Sequence, residues 1–351
     1  MSPEGAAIGA VTQFPLSVEA WHVQRFGEPI DVLERGTVAI DTLPPDGILV
    51  SVEAIGLNFL DVSVCRGEYS SDPKPPVVPG AEVAGRVLAV GQAVTRVSPN
   101  DRVCGLSPSA LGGFAAATVL PESAVFRIPD DLPVEDAAGL VVTYHTAYVS
   151  LIRRAGLKAG EWVLIHAGAG GTGSAAIQIA VAQGARVIAT SRSDEKADVC
   201  RELGAEVAVN STRESFVDAV MQATSGRGAD VVLDPVGGEA FRGSLECIAF
   251  EGRLLPVGWA SGVPPQLELV DVLRRNITLI GVAWGMAYPP QAPAVVQETH
   301  ERILDGYQAG TLRPLIHKTW GFAQIPQAVQ ALANGDVVGK GVILMESPLR
   351  S

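Results

Sequence analysis

The rhythm of apolar and polar positions changes near Pro133. Before it, short apolar runs such as Ile48–Val52 and Ala84–Val90 are bounded by Gly, Pro, Asn and Asp, and Asp101–Leu106 and Ala115–Leu120 give further short strands. That is the pattern of strands joined by turns. The four prolines between Pro73 and Gly80 exclude helix and most internal strand. The first third is therefore expected to be a compact antiparallel, barrel-like unit. From Val134 to Ala155 the chain is rich in helix formers with apolar residues three and four apart. From Glu161 strand and helix alternate. Strands are predicted at Trp162–His166, Arg186–Thr190, Val207–Asn210, Asp230–Asp234 and Arg253–Val257, and helices at Ser174–Gln183, Asp194–Leu203 and Glu214–Ala223. Gly184 and Gly204 close two of the helices. Such a series implies a parallel sheet with helices on both faces. A last apolar strand, Ile277–Val282, ends it; helices at Gln297–Gln308 and Ile325–Asn334 and a strand at Val342–Met345 follow. The expected fold class is α/β, a doubly wound Rossmann sheet (146–285) inserted into the chain of a β-rich unit (1–145 and 286–351).

Composition narrows the partners. A chain of 351 residues with 47% apolar content has room for two cored domains. Its formal charge of −12 repels phosphate backbones and anionic membranes, so nucleic acid is not an expected partner. Cys65, Cys104, Cys200 and Cys247 stand far apart, without the paired spacing of a disulfide framework or thiolate zinc cluster. A reducing, cytoplasmic location is expected. No apolar run has the length of a membrane span. Residues 1–17 read as a loose leader lacking the basic start of a secretory signal, with order expected from Val18.

The first chemistry appears after the strand at Trp162–His166. Gly168-Ala169-Gly170-Gly171-Thr172-Gly173 has the form G-x-G-x-x-G, preceded by an apolar strand and followed by a helix. In that context the first glycine permits a tight turn, the second lets the backbone approach a pyrophosphate, and the third lets helix and sheet pack closely. The helix N-terminus then faces the anion. The next strand's end selects the dinucleotide, because an Asp or Glu there accepts a ribose 2′-hydroxyl and repels a 2′-phosphate. This chain reads Thr190-Ser191-Arg192-Ser193-Asp194-Glu195-Lys196. A guanidinium and, one turn on, an ammonium suit a phosphate dianion. Asp194 and Glu195 are expected in the first turn of a helix. NADPH is the expected cofactor.

Several segments together resemble the zinc-free NADPH:quinone oxidoreductase branch of the medium-chain dehydrogenase/reductase superfamily, over about Ala20 to Met345. They are Gly56-Leu-Asn-Phe-Leu-Asp61, Pro79-Gly-Ala-Glu-Val-Ala-Gly85, Thr146-Ala-Tyr148, His166 to Gly173 and Gly339-Lys-Gly341. The resemblance implies that the β-rich unit is a GroES-like, partly open barrel. Zinc-dependent members place Cys-His in the first segment and Gly-His-Glu in the second; here stand Asn58-Phe59 and Gly80-Ala81-Glu82. Two catalytic zinc ligands and the four-cysteine lobe of those members are absent, and Glu82 alone cannot hold the ion. Without a Lewis acid, reduction of an electron-poor acceptor is favoured over alcohol oxidation.

The resemblance further implies that Asn58 and Asp61 lie near the nicotinamide ribose and substrate mouth, Asn58 as an amide donor and Asp61 as an orienting group. Tyr69 would offer a phenol to a substrate oxygen. Thr146 would lie beneath the nicotinamide, and Lys340 would approach the cleft or a cofactor phosphate. The cofactor-binding set is thus Thr146, Gly168 to Gly173, Ser191, Arg192, Lys196 and Lys340. Ser63 stands where members often carry an aromatic residue, which implies a pocket that is more open or differently selective. Glu82 is read as a structural carboxylate bonded to backbone, His145 as a packing residue, and His166 as ordering backbone near the glycine loop. The expected acceptor is a quinone; an enone or enoyl thioester is the alternative, and a cofactor-binding sensing protein with little turnover is the reading from another class. A homodimer through the sheet edge near Ile277–Val282 is expected.

Overall fold

The computed structural model describes residues 14–69 and 74–346. Most of the predicted leader lies outside the described residues. Strand structure begins at Leu16 rather than Val18, because Leu16–Val23 pairs antiparallel along its whole length with Leu33–Ile40.

The chain forms two compact units. One runs to Val142 and takes in Pro289–Val296 and the chain from Ile316; the other holds Thr143–Tyr288 and Gln297–Leu315. Residues 297–315 thus group with the second unit, where sequence alone assigned them to the first. Hydrogen bonds anchor them there. The Tyr144 hydroxyl and Gln178 Nε2 donate to the Arg313 carbonyl at 2.6 and 3.0 Å, and the Arg313 amide donates to Gln178 Oε1 at 2.7 Å.

The first unit is built on a seven-stranded, mainly antiparallel sheet. Gly47–Gly56 is its central strand, paired with Glu82–Val90, Ala117–Pro121 and Lys340–Leu344. Ile48, Val50, Val52 and Ile55 are wholly buried along it, together with Val83, Val87 and Leu120 from its neighbours. The register sets Gly56 opposite both Glu82 and Val342. Lys340 and Glu82 are thereby delivered to the same strand end, where the chain passes through Leu57 into the helix Phe59–Arg66. Gly56 must be glycine, because a Cβ there would overlap the Ala138 carbonyl oxygen and the Glu82 side chain.

The second unit holds six parallel strands in the order Val207–Asn210, Arg186–Ser191, Trp162–Ile165, Ala229–Asp234, Ile248–Pro256, Thr278–Leu279. The order reverses between Trp162–Ile165 and Ala229–Asp234. Dinucleotides lie at the carboxyl ends of strands at such a switch point. The edge strand is shorter than predicted. Thr278 and Leu279 pair with Arg253 and Leu254, Ile280 donates once more to the Leu254 carbonyl, and the chain then turns into the helix Trp284–Gln291. The long helical run predicted from Val134 is regular to Tyr148 and continues as a wider turn through Arg154, where the Ala155 amide reaches back five residues to Ser150.

Candidate functional site

The helix after the glycine loop starts at Gly171, three residues before its predicted start, with Gly170 as its N-cap. Its first regular bond runs from the Ser174 amide to the Gly170 carbonyl at 2.8 Å. The amides of Gly171, Thr172 and Gly173 are therefore first-turn donors with no acceptor inside the helix, aimed outward as an anion requires. The loop is tight. Ala167 enters it in the left-handed region at φ 50°. A Cβ on Gly173 would overlap the Ala167 carbonyl oxygen and lie 2.7 Å from Gly168 Cα; one on Gly168 would lie 2.8 Å from Ala189 Cβ and Cys200 Sγ. These residues fit a dinucleotide, since a side chain at the third glycine would break the cradle. Gly173→Ala is expected to weaken dinucleotide binding at least about 100-fold, the scale of removing several charge-assisted hydrogen bonds. Fluorescence titration of reduced dinucleotide checks it; an unchanged affinity would remove the loop from the site.

His166, predicted to end the strand before the loop, directly follows the strand Trp162–Ile165 instead and is buried. The Ser244 hydroxyl donates to the Ala240 carbonyl, so it must accept from His166 Nε2 at 2.8 Å. Nδ1 is then the acceptor for the Thr190 hydroxyl, at 3.0 Å. His166 thus ties the glycine-loop strand to the end of the next one, and burial holds it neutral with a pKa pushed down to about 4.

At that strand end the predicted cations are on one loop and one helical turn. Arg192 is exposed, and Lys196 is half-buried with its amide donating to the Ser193 N-cap. Ser191 is more constrained than predicted. Its hydroxyl donates to the Ser193 carbonyl, and its own carbonyl accepts from the Ser211 amide and hydroxyl. Asp194 and Glu195 occupy the first turn of the helix Asp194–Glu202, as expected. Thr146 lies half-buried on the helix Val134–Tyr148. His145, beside it, is packed: its Nε2 meets His300 Nδ1 at 3.0 Å, and its ring lies 4.6 Å from Trp284.

The first unit gathers a buried polar cluster. The Lys340 ammonium donates to the Leu57 carbonyl at 2.8 Å, to Asn58 Oδ1 at 2.9 Å and to Glu82 Oε1. Glu82 Oε1 also accepts from Asn58 Nδ2 at 3.0 Å, and Oε2 accepts from the Val142 amide at 2.6 Å. The backbone bond read for Glu82 is there, but the ammonium partner 258 residues away was not foreseen. Lys340 corrects the sequence reading. It is 3% exposed, and its three N–H groups meet three acceptors, so none remains for a cofactor phosphate. Asn58 is similarly committed, its amide hydrogens going to Gly56 O and Glu82. Asp61 is the third helical residue after Asn58 and accepts its amide at 2.8 Å. Burial pushes the Asp61 carboxyl up to about 7, and Glu82 adds to this, while the Asn58 amide and Lys340 oppose it. Tyr69 is half-buried; burial and the nearby Asp61 charge push its phenol up, so it stays protonated. Among the described residues no group of three or more His, Cys, Asp or Glu side chains is arranged to hold a metal ion, and none of the helices is long and apolar enough to cross a membrane.

Fold and loop together define a dinucleotide-binding protein with a Rossmann unit and a β-rich companion. Residues 44–130 match the family described as alcohol dehydrogenase GroES-like domain, and residues 171–301 that described as zinc-binding dehydrogenase. The chain is 35% identical to quinone oxidoreductase-like protein 2 homolog of Nematostella vectensis, over 98% of its own length and 96% of the relative's. It is 30% identical to 2-haloacrylate reductase of a Burkholderia species, over 88% and 94% of the two chains. Escherichia coli quinone oxidoreductase, solved in complex with NADPH, superposes with a TM-score of 0.84 at 25% identity, over 93% of this chain and 99% of that one. The chain belongs to the medium-chain dehydrogenase/reductase superfamily, in its quinone oxidoreductase branch.

Proposed function

We propose that this chain is an NADPH-dependent reductase that passes hydride to a quinone. The observation that carries the reading is the glycine cradle of Gly168–Gly173 next to a strand end that presents Arg192 and Lys196. Free first-turn amides of Gly171, Thr172 and Gly173 hold the pyrophosphate. Arg192 and Lys196 hold the 2′-phosphate, with His166 fixing the Thr190 end of their strand. The bound cofactor supplies the hydride. The chain's own part is orientation and the acceptor oxygen. Tyr69, protonated, donates to the oxygen that gains charge, and Asp61 orients the helix start that carries Asn58. Asn58, Glu82 and Lys340 serve as a rigid support rather than as donors to substrate, since they satisfy one another. Solvent provides the last proton, because a hydroquinone needs no strong acid.

The likeness to E. coli quinone oxidoreductase with NADPH supports cofactor and acceptor alike. The likeness to 2-haloacrylate reductase supports the second reading, hydride delivery to an activated C=C bond. NADPH oxidation should be accelerated by 1,4-benzoquinone and 9,10-phenanthrenequinone over an alkyl enone. Faster turnover of the enone would favour the second reading, and tight NADPH binding with no acceptor-dependent oxidation would reject both.

A homodimer through the edge of the parallel sheet is part of the proposal. Leu279 on the edge strand is exposed, and on the helix Leu269–Arg275 just before it Leu269 and Leu273 are 80% and 75% exposed, one turn apart. Exposed apolar side chains on the edge strand and on the helix that precedes it favour association with a second copy. Light scattering at micromolar concentration should give twice the chain mass, and Leu269→Glu with Leu273→Glu should halve it. A monomeric mass for the unmodified chain would reject the dimer.

A further inference from the structure

The strand end that the sequence marks for cofactor choice carries a carboxylate as well as cations. Asp194 is the first residue of its helix, two positions after Arg192. A carboxylate with a free oxygen at that place accepts a ribose 2′-hydroxyl and repels a 2′-phosphate. Here both oxygens carry a donor from the protein. Asn210 Nδ2 donates to Asp194 Oδ1 at 2.7 Å, and the Arg213 guanidinium donates to Oδ2 at 2.6 Å. Asn210 ends the next strand, and Arg213 lies in the turn that follows it. Asn210 is in register with Ser191 on the neighbouring parallel strand, and the Ser211 amide and hydroxyl both bond the Ser191 carbonyl, at 2.9 and 3.0 Å. The two strand ends are therefore laced together, and the lacing holds Asn210 and Arg213 against Asp194. The neighbouring Glu195 carboxylate is held below its ordinary value by its own backbone amide and the Ser193 hydroxyl.

We propose that Arg213 is a specificity residue for the 2′-phosphate. By pairing with Asp194 it offsets the charge of a carboxylate that would otherwise favour an unphosphorylated ribose, and so leaves the Arg192 guanidinium to act on the phosphate. This rests on the NADPH reading above. Arg213 and Asp194 are 70% and 57% exposed, so the pair contributes little to fold stability and Arg213→Ala is expected to fold. Its effect falls on the cofactor.

The test is calorimetric titration of NADPH and of NADH into the full chain and into four variants: Arg213→Ala, Asp194→Asn, Arg213→Ala with Asp194→Asn, and Arg192→Ala. Arg213→Ala is expected to weaken NADPH about 10- to 100-fold, the scale of removing one charge-assisted hydrogen bond or adding one repulsion. NADH should bind no more weakly, because the freed carboxylate accepts its 2′-hydroxyl. Adding Asp194→Asn should restore most of the NADPH affinity, since no charge is left to cancel. Arg192→Ala should also weaken NADPH. An Arg213→Ala variant with an unchanged ratio of NADPH to NADH affinity overturns the proposal, as does a weakening that Asp194→Asn does not restore. An unmodified chain that prefers NADH overturns the NADPH reading itself, and the Arg213 proposal with it; an NADPH preference unaffected by Arg213→Ala overturns the Arg213 proposal alone.

Discussion

Replacing Lys340 by methionine is expected to destabilise the protein by about 3–5 kcal/mol, the scale of breaking a buried ion pair by removing one partner. The ammonium and the Glu82 carboxylate are 3% and 0% exposed on their side chains. Once the ammonium is gone, Glu82 Oε1 keeps only the Asn58 amide, Asn58 Oδ1 loses its donor, and the Leu57 carbonyl is left unsatisfied. Adding Glu82→Gln should recover much of the stability. A neutral amide oxygen still accepts the Val142 amide without a charge to solvate, and pairs replaced on both sides are often near neutral. Urea denaturation of the two variants beside the unmodified chain reads the difference. A Lys340→Met chain with an unshifted midpoint would mean that the pair does not support the strand end. The same substitution should raise the Asp61 carboxyl above its value of about 7, because Lys340 is one of the groups pulling it down.

Acidification is the second large effect. His145, His166 and His300 are buried and neutral in the folded chain: burial pushes His300 down to about 3 and His166 to about 4, and His145 lies well below the ordinary range. Each takes up a proton on unfolding once the pH is below about 6.5, the ordinary histidine value. Stability from these groups is thus complete above that pH and is lost as the pH falls toward the folded values. Asp61 acts in the opposite sense. Raised from 3.8 to about 7, it holds a proton in the folded chain that unfolding releases, so it gains stability over the same fall. Three protons taken up against one released leave a net of two, a slope of about 3 kcal/mol per pH unit between roughly pH 6 and 4. Denaturant midpoints at pH 7, 6 and 5 should fall steeply. His300→Gln should flatten the slope by roughly half, because it removes one of the net two protons. A flat profile over that range would mean that these histidines are not held neutral.

The division of the chain into a β-rich part and a parallel sheet was legible because periodicity and glycine placement are local. Val207–Asn210 and Ile325–Asn334 are bounded as the pattern of residues predicts. The helix after the glycine loop is not. Gly171 and Thr172 are poor helix formers by themselves, and they are helical because the first turn must stand against the Ala167 and Gly168 backbone. Ile277–Val282 has the composition of a longer strand than the two residues that pair, because the helix Trp284–Gln291 takes the chain away from the edge.

The candidate site divides the same way. Amino-acid sequence alone determined the tight glycine loop, because turn, glycine and helix start are contiguous in Gly168–Gly173. It also determined the cations at Arg192 and Lys196, one turn apart. What only the tertiary structure decided is which charges are free to act. Lys340 reads as an available cation, and Asp194 as a residue of a helix first turn. Sheet register sets the first against Glu82 at the end of the central strand, and the lacing of two parallel strand ends sets the second against Arg213 and Asn210. A charge is spent on whatever partner the fold places within hydrogen-bonding distance, and those partners lie up to 258 residues away, beyond the reach of any local pattern.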